Sequence, residues 1–445
     1  MNDPRLDKQR EGAWQSLVHV CRRWRSIVFG SPRHLNLRLV CRDTTPARDT
    51  LYVWPALPLV ILWYGHRTGS VDNIIVGLER RDRVCKIYLA NVQSSVLEIL
   101  LTEMQQPFPE LSSLLLHSKV ENVETLPVVP DLFLGGSAPR VEDLELNGIP
   151  FPGLPKLLLS ATQLVELRLF EIPHSGYFSP EEMVTALSTL TSLKELSLDF
   201  HSPRSFPDWA SQRPPPSTRS VLPILRYFRL KGVTEYLEDL VARIDAPRLN
   251  NLSMTFFNDI VFDTPHFTQF ISRTPTSRVL EKAHIRLRNR NAILDFSSQT
   301  SGNGGVCVVI LCRGLDWQLS SVEQVCTSCL PPLSVLEDLQ IYELSRDPRW
   351  QPDWKDDIEN GLWLGLLHPF TAVKNLYLSE QYALRIGPAL QELVGGRTTE
   401  VLPALQNIFL KGHEPSGPVQ EGIGQFVASR QVTSRPIAVS RWDED

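Results

Sequence analysis

Along most of the chain one spacing of apolar positions recurs: an apolar residue, two variable residues, a second apolar residue, one variable residue and a third. It reads Val84-Ile87-Leu89, Leu111-Leu114-Leu116, Val141-Leu144-Leu146, Leu164-Leu167-Leu169 and Leu193-Leu196-Leu198. It continues as Leu225-Phe228-Leu230, Leu249-Leu252-Met254, Leu280-Ala283-Ile285, Leu336-Leu339-Ile341, Val373-Leu376-Leu378 and Leu405-Ile408-Leu410. Successive starts lie 23 to 37 residues apart, except for one gap of 56 between Leu280 and Leu336. The β-branched run from Val306 to Leu311 falls in that gap and is read as a degenerate unit. Two apolar residues at alternate positions make a short strand with one face buried.

The intervals between these strands carry helix signals. Ser179-Pro180-Glu181-Glu182 has an N-cap serine, proline in the first turn and a glutamate that closes a capping box. Met183, Leu187 and Leu190 then share one face. Thr264-Pro265 opens a second helix through Phe267, Phe270 and Ile271, and Ser320 with Glu323 is read as opening a third through Val325 and Cys329. The unit is therefore strand, turn, helix, and each unit buries its apolar face only by stacking on its neighbours. The spacing is the leucine-rich-repeat signature, whose period is about 20–29 residues. The predicted fold class is α/β: a leucine-rich-repeat solenoid, an irregular horseshoe, with a short α-helical segment ahead of it. The asparagine or cysteine that the usual consensus places three residues after the last strand leucine is missing, since those positions hold Val92, Ile149, Ile172, His201, Val233 and Leu344 among others.

Two stretches interrupt the pattern. Residues 201–220 are polar and proline-rich, and residues 289–305 end in a glycine-rich turn. The most apolar stretch, Leu51 to Gly65, contains Pro55 and Pro58 and is too short for the roughly 20 residues of a membrane helix, so it reads as a buried strand after a turn. The expected organisation is a helical segment over 1–40, a connector over 41–82, the solenoid over 83–412, and a cap and loose acidic tail over 413–445.

Leu17, Val20, Cys21, Trp24 and Val28 follow helical spacing, flanked by Arg22, Arg23 and Arg25, and Gly30-Ser31-Pro32 stops the helix. Val20-Cys21-Arg22-Arg23-Trp24-Arg25 followed by Ser31-Pro32-Arg33 resembles the closing half of an F-box. The tract from Leu35 to Leu62 resembles the connector of the F-box-like leucine-rich proteins that fungi carry in many copies. The leucine-proline motif that opens an F-box is absent from residues 1–13, so the element reads as N-terminally truncated. The resemblance implies a Skp-type linker protein as one partner, with Leu17, Val20, Cys21 and Trp24 as its contacts. The alternative for these four residues is a small helix packed as a cap on the first repeat.

Composition narrows the function. The formal charge is −5, from 45 basic and 50 acidic residues, which disfavours a general nucleic-acid binder. Seven cysteines spread from Cys21 to Cys329 form no disulfide framework. The N-terminus has no apolar core of a secretory signal, so a cytoplasmic or nuclear location is expected. No nucleophile elbow, P-loop, zinc-protease or calcium-loop motif occurs. Cys326 and Cys329 form a lone pair at C-x-x-C spacing without a second pair of ligands. No enzyme activity, cofactor, metal, nucleic acid or membrane partner is expected.

The residues between the strand leucines face the surface available to a partner. Tyr88, Glu145, Glu166, Arg168, Glu195, Arg229 and Tyr377 are the candidate substrate-binding positions, because aromatics and arginine anchor protein interfaces. The expected function is a non-enzymatic substrate receptor of an SCF-type ubiquitin ligase, with the F-box segment on the linker and the repeats on an unidentified protein substrate. The alternative is a free-standing leucine-rich scaffold.

Overall fold

A computed structural model of the protein describes residues 18–30, 38–44, 46–53, 56–65, 70–119, 126–203, 219–257, 264–275, 280–288, 290–297, 304–312, 314–330, 333, 335–342, 358–411 and 418–442. The chain forms two compact units, Met1–Ser211 and Gln212–Asp445. Both are α/β with mainly parallel sheets, an architecture compatible with a leucine-rich-repeat solenoid.

The first unit begins with helix α1 (Arg22–Gly30). Strand β1 (Leu39–Arg42), helix α2 (Ala47–Val53), strand β2 (Leu59–Trp63) and helix α3 (Val71–Leu78) follow. Strand β3 (Val84–Val92), helix α4 (Ser94–Glu103), β4 (Ser113–Ser118) and β5 (Asp143–Asn147) come next. Helix α5 (Leu154–Leu158), β6 (Glu166–Ile172), helix α6 (Pro180–Leu187) and β7 (Glu195–Phe200) complete it. The seven strands lie in chain order and every neighbouring pair is parallel. The apolar positions of successive copies are in register: Ile87 opposes Leu114, Leu114 opposes Leu144, Leu144 opposes Leu167 and Leu167 opposes Leu196. All five are buried. The 51–65 run divides into the end of α2 and the fully buried β2.

Helices cover the buried side. Leu97, Leu100 and Leu101 of α4, and Met183, Ala186 and Leu187 of α6, are buried there. The α6 cap forms as expected, with Glu182 N–H donating to Ser179 Oγ at 3.2 Å and Ser179 N–H donating to Glu182 Oε2 at 2.9 Å.

The second unit holds β8 (Ser220–Val221), β9 (Tyr227–Gly232), α7 (Thr234–Ala242), β10 (Ile244–Asp245), β11 (Asn251–Phe256) and α8 (Pro265–Arg273). Strands β12 (Lys282–Arg288), β13 (Asn291–Ser297) and β14 (Gly305–Ile310) follow, then α9 (Leu315–Gln324) and β15 (Asp338–Ile341). Helix α10 (Asn360–Leu367), β16 (Asn375–Ser379), α11 (Glu380–Gln391), β17 (Asn407–Lys411), α12 (Pro418–Val432) and β18 (Ala438–Trp442) end the unit. Among the described residues, strands β8 and β10 pair with each other in a separate two-stranded sheet. The main sheet runs β9-β11-β14-β13-β12-β15-β16-β17-β18.

That order corrects the reading of the 56-residue gap. Residues 291–297, within the expected interruption, form strand β13, antiparallel to both β12 and β14. The chain turns back twice, so the run at Val306 lies beside β11, where the next copy would stand, and the eighth copy is displaced by two strands. The physical cause is alternation: Ala292, Leu294 and Phe296 point to the same buried side as Ala283, Ile285 and Leu287. An antiparallel strand fills the apolar row as well as a parallel one. Gly305 makes the return possible, because a Cβ there would meet Phe296 O at 2.4 Å. The far end of β12 is closed by two buried side chains from the helix layer. Gln318 Nε2 donates to Arg288 O at 2.6 Å, and the Tyr382 hydroxyl donates to Leu287 O at 3.0 Å.

Two smaller corrections follow. The third expected helix starts at Leu315 rather than Ser320, because Gly314 (φ 87°) turns the chain and Leu315, Leu319 and Val322 form its buried face. The C-terminal segment is a helix and a further strand as far as Trp442, with β18 parallel to β17. Residues 443–445 of the acidic tail lie outside the described residues, as does most of the 201–220 interruption. Among the described residues no helix is long and apolar enough to cross a membrane.

Leu376 is fully buried between Leu339 and Ile408 on the neighbouring strands. Leu376→Ala is expected to lower stability by about 2 to 5 kcal/mol in urea unfolding. The exposed Tyr227→Ala should shift it by no more than about 0.5 kcal/mol.

Candidate binding face of the sheet

Strand alternation sends one set of side chains into the core and the other to the opposite face, where the candidate substrate-binding residues lie. In the first unit Tyr88, Leu115, Glu145 and Arg168 stand opposite one another on consecutive strands. The row beside it joins Asp143, Glu166 and Glu195. The structure brings four of the expected residues into one network. Arg168 Nε and Nη2 donate to the two carboxylate oxygens of Glu195 at 2.6 and 2.9 Å. Its Nη2 lies 2.5 Å from Glu166 Oε2, and its Nη1 lies 3.6 Å from Glu145 Oε2. Glu145 Oε1 is also 2.8 Å from His117 Nε2.

The hydrogen bond from Glu195, then the charges of Glu195, Glu166 and Glu145, hold the Arg168 guanidinium well above its ordinary pKa, against the opposing effect of burial. Three carboxylates therefore share one arginine. Each of the three is engaged by Arg168 rather than left as a separate surface charge. Such a half-buried fork–fork pair is directional and orders the surface of β5, β6 and β7. Next to it, burial raises the pKa of Asp143, while the charges of Lys86 and Arg168 oppose the rise. Tyr88 lies at the other end of the row, where Lys86 Nζ sits 5.9 Å from its ring centre and Ser113 Oγ donates to its hydroxyl at 3.4 Å.

The second unit presents a different surface. A single row crosses nine strands, reading Arg229, Ser253, Cys307, Asp295, His284, Gln340, Tyr377, Phe409 and Ser440. Arg229 and Tyr377 are thus in one row but six strand steps apart. Tyr377 is stacked on Phe409, with centroids 4.5 Å apart and planes at 11°. Trp442 meets Tyr377 edge-on at 5.4 Å and Tyr342 at 6.0 Å, and Tyr342 meets His284 at 5.8 Å. Lys411 Nζ lies 5.4 Å above the Trp442 ring. Burial, with the charge of Asp338, raises the pKa of Tyr377.

Two residues earlier on the same face, Asn375 Nδ2 donates to Asp338 Oδ1 at 2.7 Å, and Asn407 Nδ2 donates to Asn375 Oδ1 at 2.8 Å. This amide ladder and Trp442 escaped the sequence reading. The ladder had a visible signal, since Asp338, Asn375 and Asn407 each stand just before the second apolar position of their copy. Trp442 had none, because β18 carries no leucine triplet.

Of the candidate linker contacts, Leu17 lies outside the described residues, as do Ser31, Pro32 and Arg33. Val20, Cys21 and Trp24 are exposed, Val20 at 65% and Trp24 at 48%, with Ile27 at 55% beside them. Among the described residues 18–30 only Val18 and Val28 are buried. These side chains are not packed as a cap among the described residues. Cys326 is buried in a single π-helical turn, and the side chain of Cys329 lies outside the described residues. Among the described residues no three His, Cys, Asp or Glu are placed to hold a metal ion.

No protein-family model matches the chain. No curated protein is similar enough to match it. Among solved structures it is similar to the leucine-rich repeat-containing protein LegL7 from Legionella pneumophila. That likeness has 11% identity, a TM-score of 0.27, and covers 87% of this chain and 96% of that one. A likeness of that size carries no argument, and the repeat reading rests on the strand register.

Arg168→Met leaves three carboxylates facing one another. It is expected to cost about 1 to 3 kcal/mol at neutral pH, and an unchanged urea midpoint would show that the network contributes nothing. Asp143 gives a pH signature. Because its folded pKa is raised, the folded state keeps this proton to higher pH than the unfolded chain, and the stability it adds in acid is lost as the pH rises through the folded value. Asp143→Asn should therefore be more stable than the parent at neutral pH. The gain should shrink as the pH falls toward the ordinary aspartate value of 3.8. A gain that grows in acid would contradict the burial argument.

Proposed function

We propose that the protein is a non-enzymatic binding scaffold, a leucine-rich-repeat solenoid that carries a partner on its open sheet face. The observation that supports this reading is the face itself. On neighbouring strands it sets charged and aromatic side chains in register and in contact with one another. A rigid surface of this kind loses little conformational freedom on binding, which favours affinity for a protein partner. In the finer reading the scaffold is the substrate receptor of an SCF-type ubiquitin ligase, working inside the cell. The F-box-like segment docks the Skp-type linker, and the sheet face holds the protein to be modified. The exposed apolar side chains Trp24 and Ile27 of α1, with Val20 in the turn just ahead of it, support this reading, because they leave an apolar surface that the rest of the described chain does not cover.

The test is co-purification of the full chain with the Skp-type linker, beside a deletion of residues 1–40 and a Trp24→Ala variant. Retention by the full chain and loss by both variants is the expected result. If the full chain is not retained, the ligase reading fails and the scaffold stands alone.

A further inference from the structure

The open face of the second unit has a net sign. On its strands Arg229, Lys231, Lys282, Arg286, Arg288 and Lys411 stand against Asp295 and Asp338. Arg286 and Asp295 form an ion pair with each other. Among the described residues of these strands cations outnumber carboxylates six to two, in a chain whose total charge is −5. At the C-terminal end of the same face lies the aromatic shelf of Tyr342, Tyr377, Phe409 and Trp442, all half-buried.

We propose that this face binds an acidic, extended peptide segment. An apolar side chain of the peptide rests on the aromatic shelf, and its carboxylates meet Lys282, Arg288 and Lys411. The inference rests on the reading of the sheet face as a binding surface and names the partner chemistry. Charge complementarity selects an acidic partner. The shelf favours a peptide over a single-stranded nucleic acid, because one face each of Tyr377, Phe409 and Trp442 is already taken. A base needs an open ring face to stack on. Tyr377 and Phe409 turn a face toward each other, and Lys411 stands above the Trp442 ring. What the cluster offers is half-exposed ring surface, which receives an aliphatic or aromatic side chain.

Spacing sets the peptide pattern. Three strand steps separate β12 from β17, through β15 and β16. At about 4.8 Å per step that is about 14 Å. An extended chain covers it in about four residues. An acidic residue about four positions from the apolar anchor therefore reaches the β12 cations.

The experiment uses the full chain and fluorescence anisotropy with three labelled probes. The first is a glutamate-rich decapeptide with one central phenylalanine. The second is the same peptide with lysine for each glutamate, and the third is an oligouridine. Saturable binding of the acidic peptide alone is expected. Its affinity should fall about tenfold with Trp442→Leu, and about tenfold again with the double change Arg288→Glu and Lys411→Glu. Arg288 and Lys411 are surface side chains on strands whose cores are left intact, so that pair reports binding even if Trp442→Leu loosens β18. Arg397→Glu, the same charge change in the turn after α11, should leave affinity unchanged. The proposal is overturned if the lysine peptide binds as well, if oligouridine binds in place of the acidic peptide, or if the face variants bind like the parent. It is equally overturned if the acidic peptide does not bind the folded chain. Any of these results with linker co-purification intact would remove this inference and leave the scaffold reading in place.

Discussion

A parallel strand of five residues buries two or three apolar side chains, worth about 1.5 to 3 kcal/mol each, against a backbone that costs about 1 to 2 kcal/mol per residue to order. No such strand is stable alone. Its apolar row has to be continued by the strands on either side, and that demand shapes both units. Leu114, Leu144, Leu167 and Leu196 form one such row, and Leu339, Leu376 and Ile408 another. The helices complete the burial from the same side, and the opposite face is left for polar and aromatic residues. The position of every candidate residue on that face follows from the need to keep the leucines aligned.

The apolar triplets were legible because alternation is a local property: two residues apart means one face. The second and third positions of all eleven copies lie on strands. The capping box at Ser179 was legible for the same reason, since it is complete within four residues. What periodicity does not carry is the order of strands in the sheet. Ala292, Leu294 and Phe296 alternate like any other copy, but nothing in their spacing says that the strand runs backwards or that β14 precedes β12 in space. Polar flanks hid that strand inside an apparent interruption.

The candidate face shows the same division. That Glu145, Glu166, Arg168 and Glu195 share a face follows from alternation. That they close on one another depends on register between strands about 25 residues apart, a tertiary quantity. Tyr377 and Phe409 each hold the open-face position between the last two apolar residues of their copies. Their stacking, and the arrival of Trp442 from β18, depend on two further strand pairings. Local spacing thus places residues on a surface, and register decides whether they meet as partners or strangers.

The doubled-back segment has a consequence for how the second unit assembles. In a simple array each strand docks on the one made just before it, and order can spread one neighbour at a time. Here β12 leaves the growing sheet with no place beside β11. It can be seated only after β13 and β14 have been made and the last of them has paired with β11. Those three strands therefore enter as one cooperative block. Until that block closes, β12 carries its apolar row of Ala283, Ile285 and Leu287 without the strands that cover its edges, and an unpaired apolar strand is what aggregation acts on.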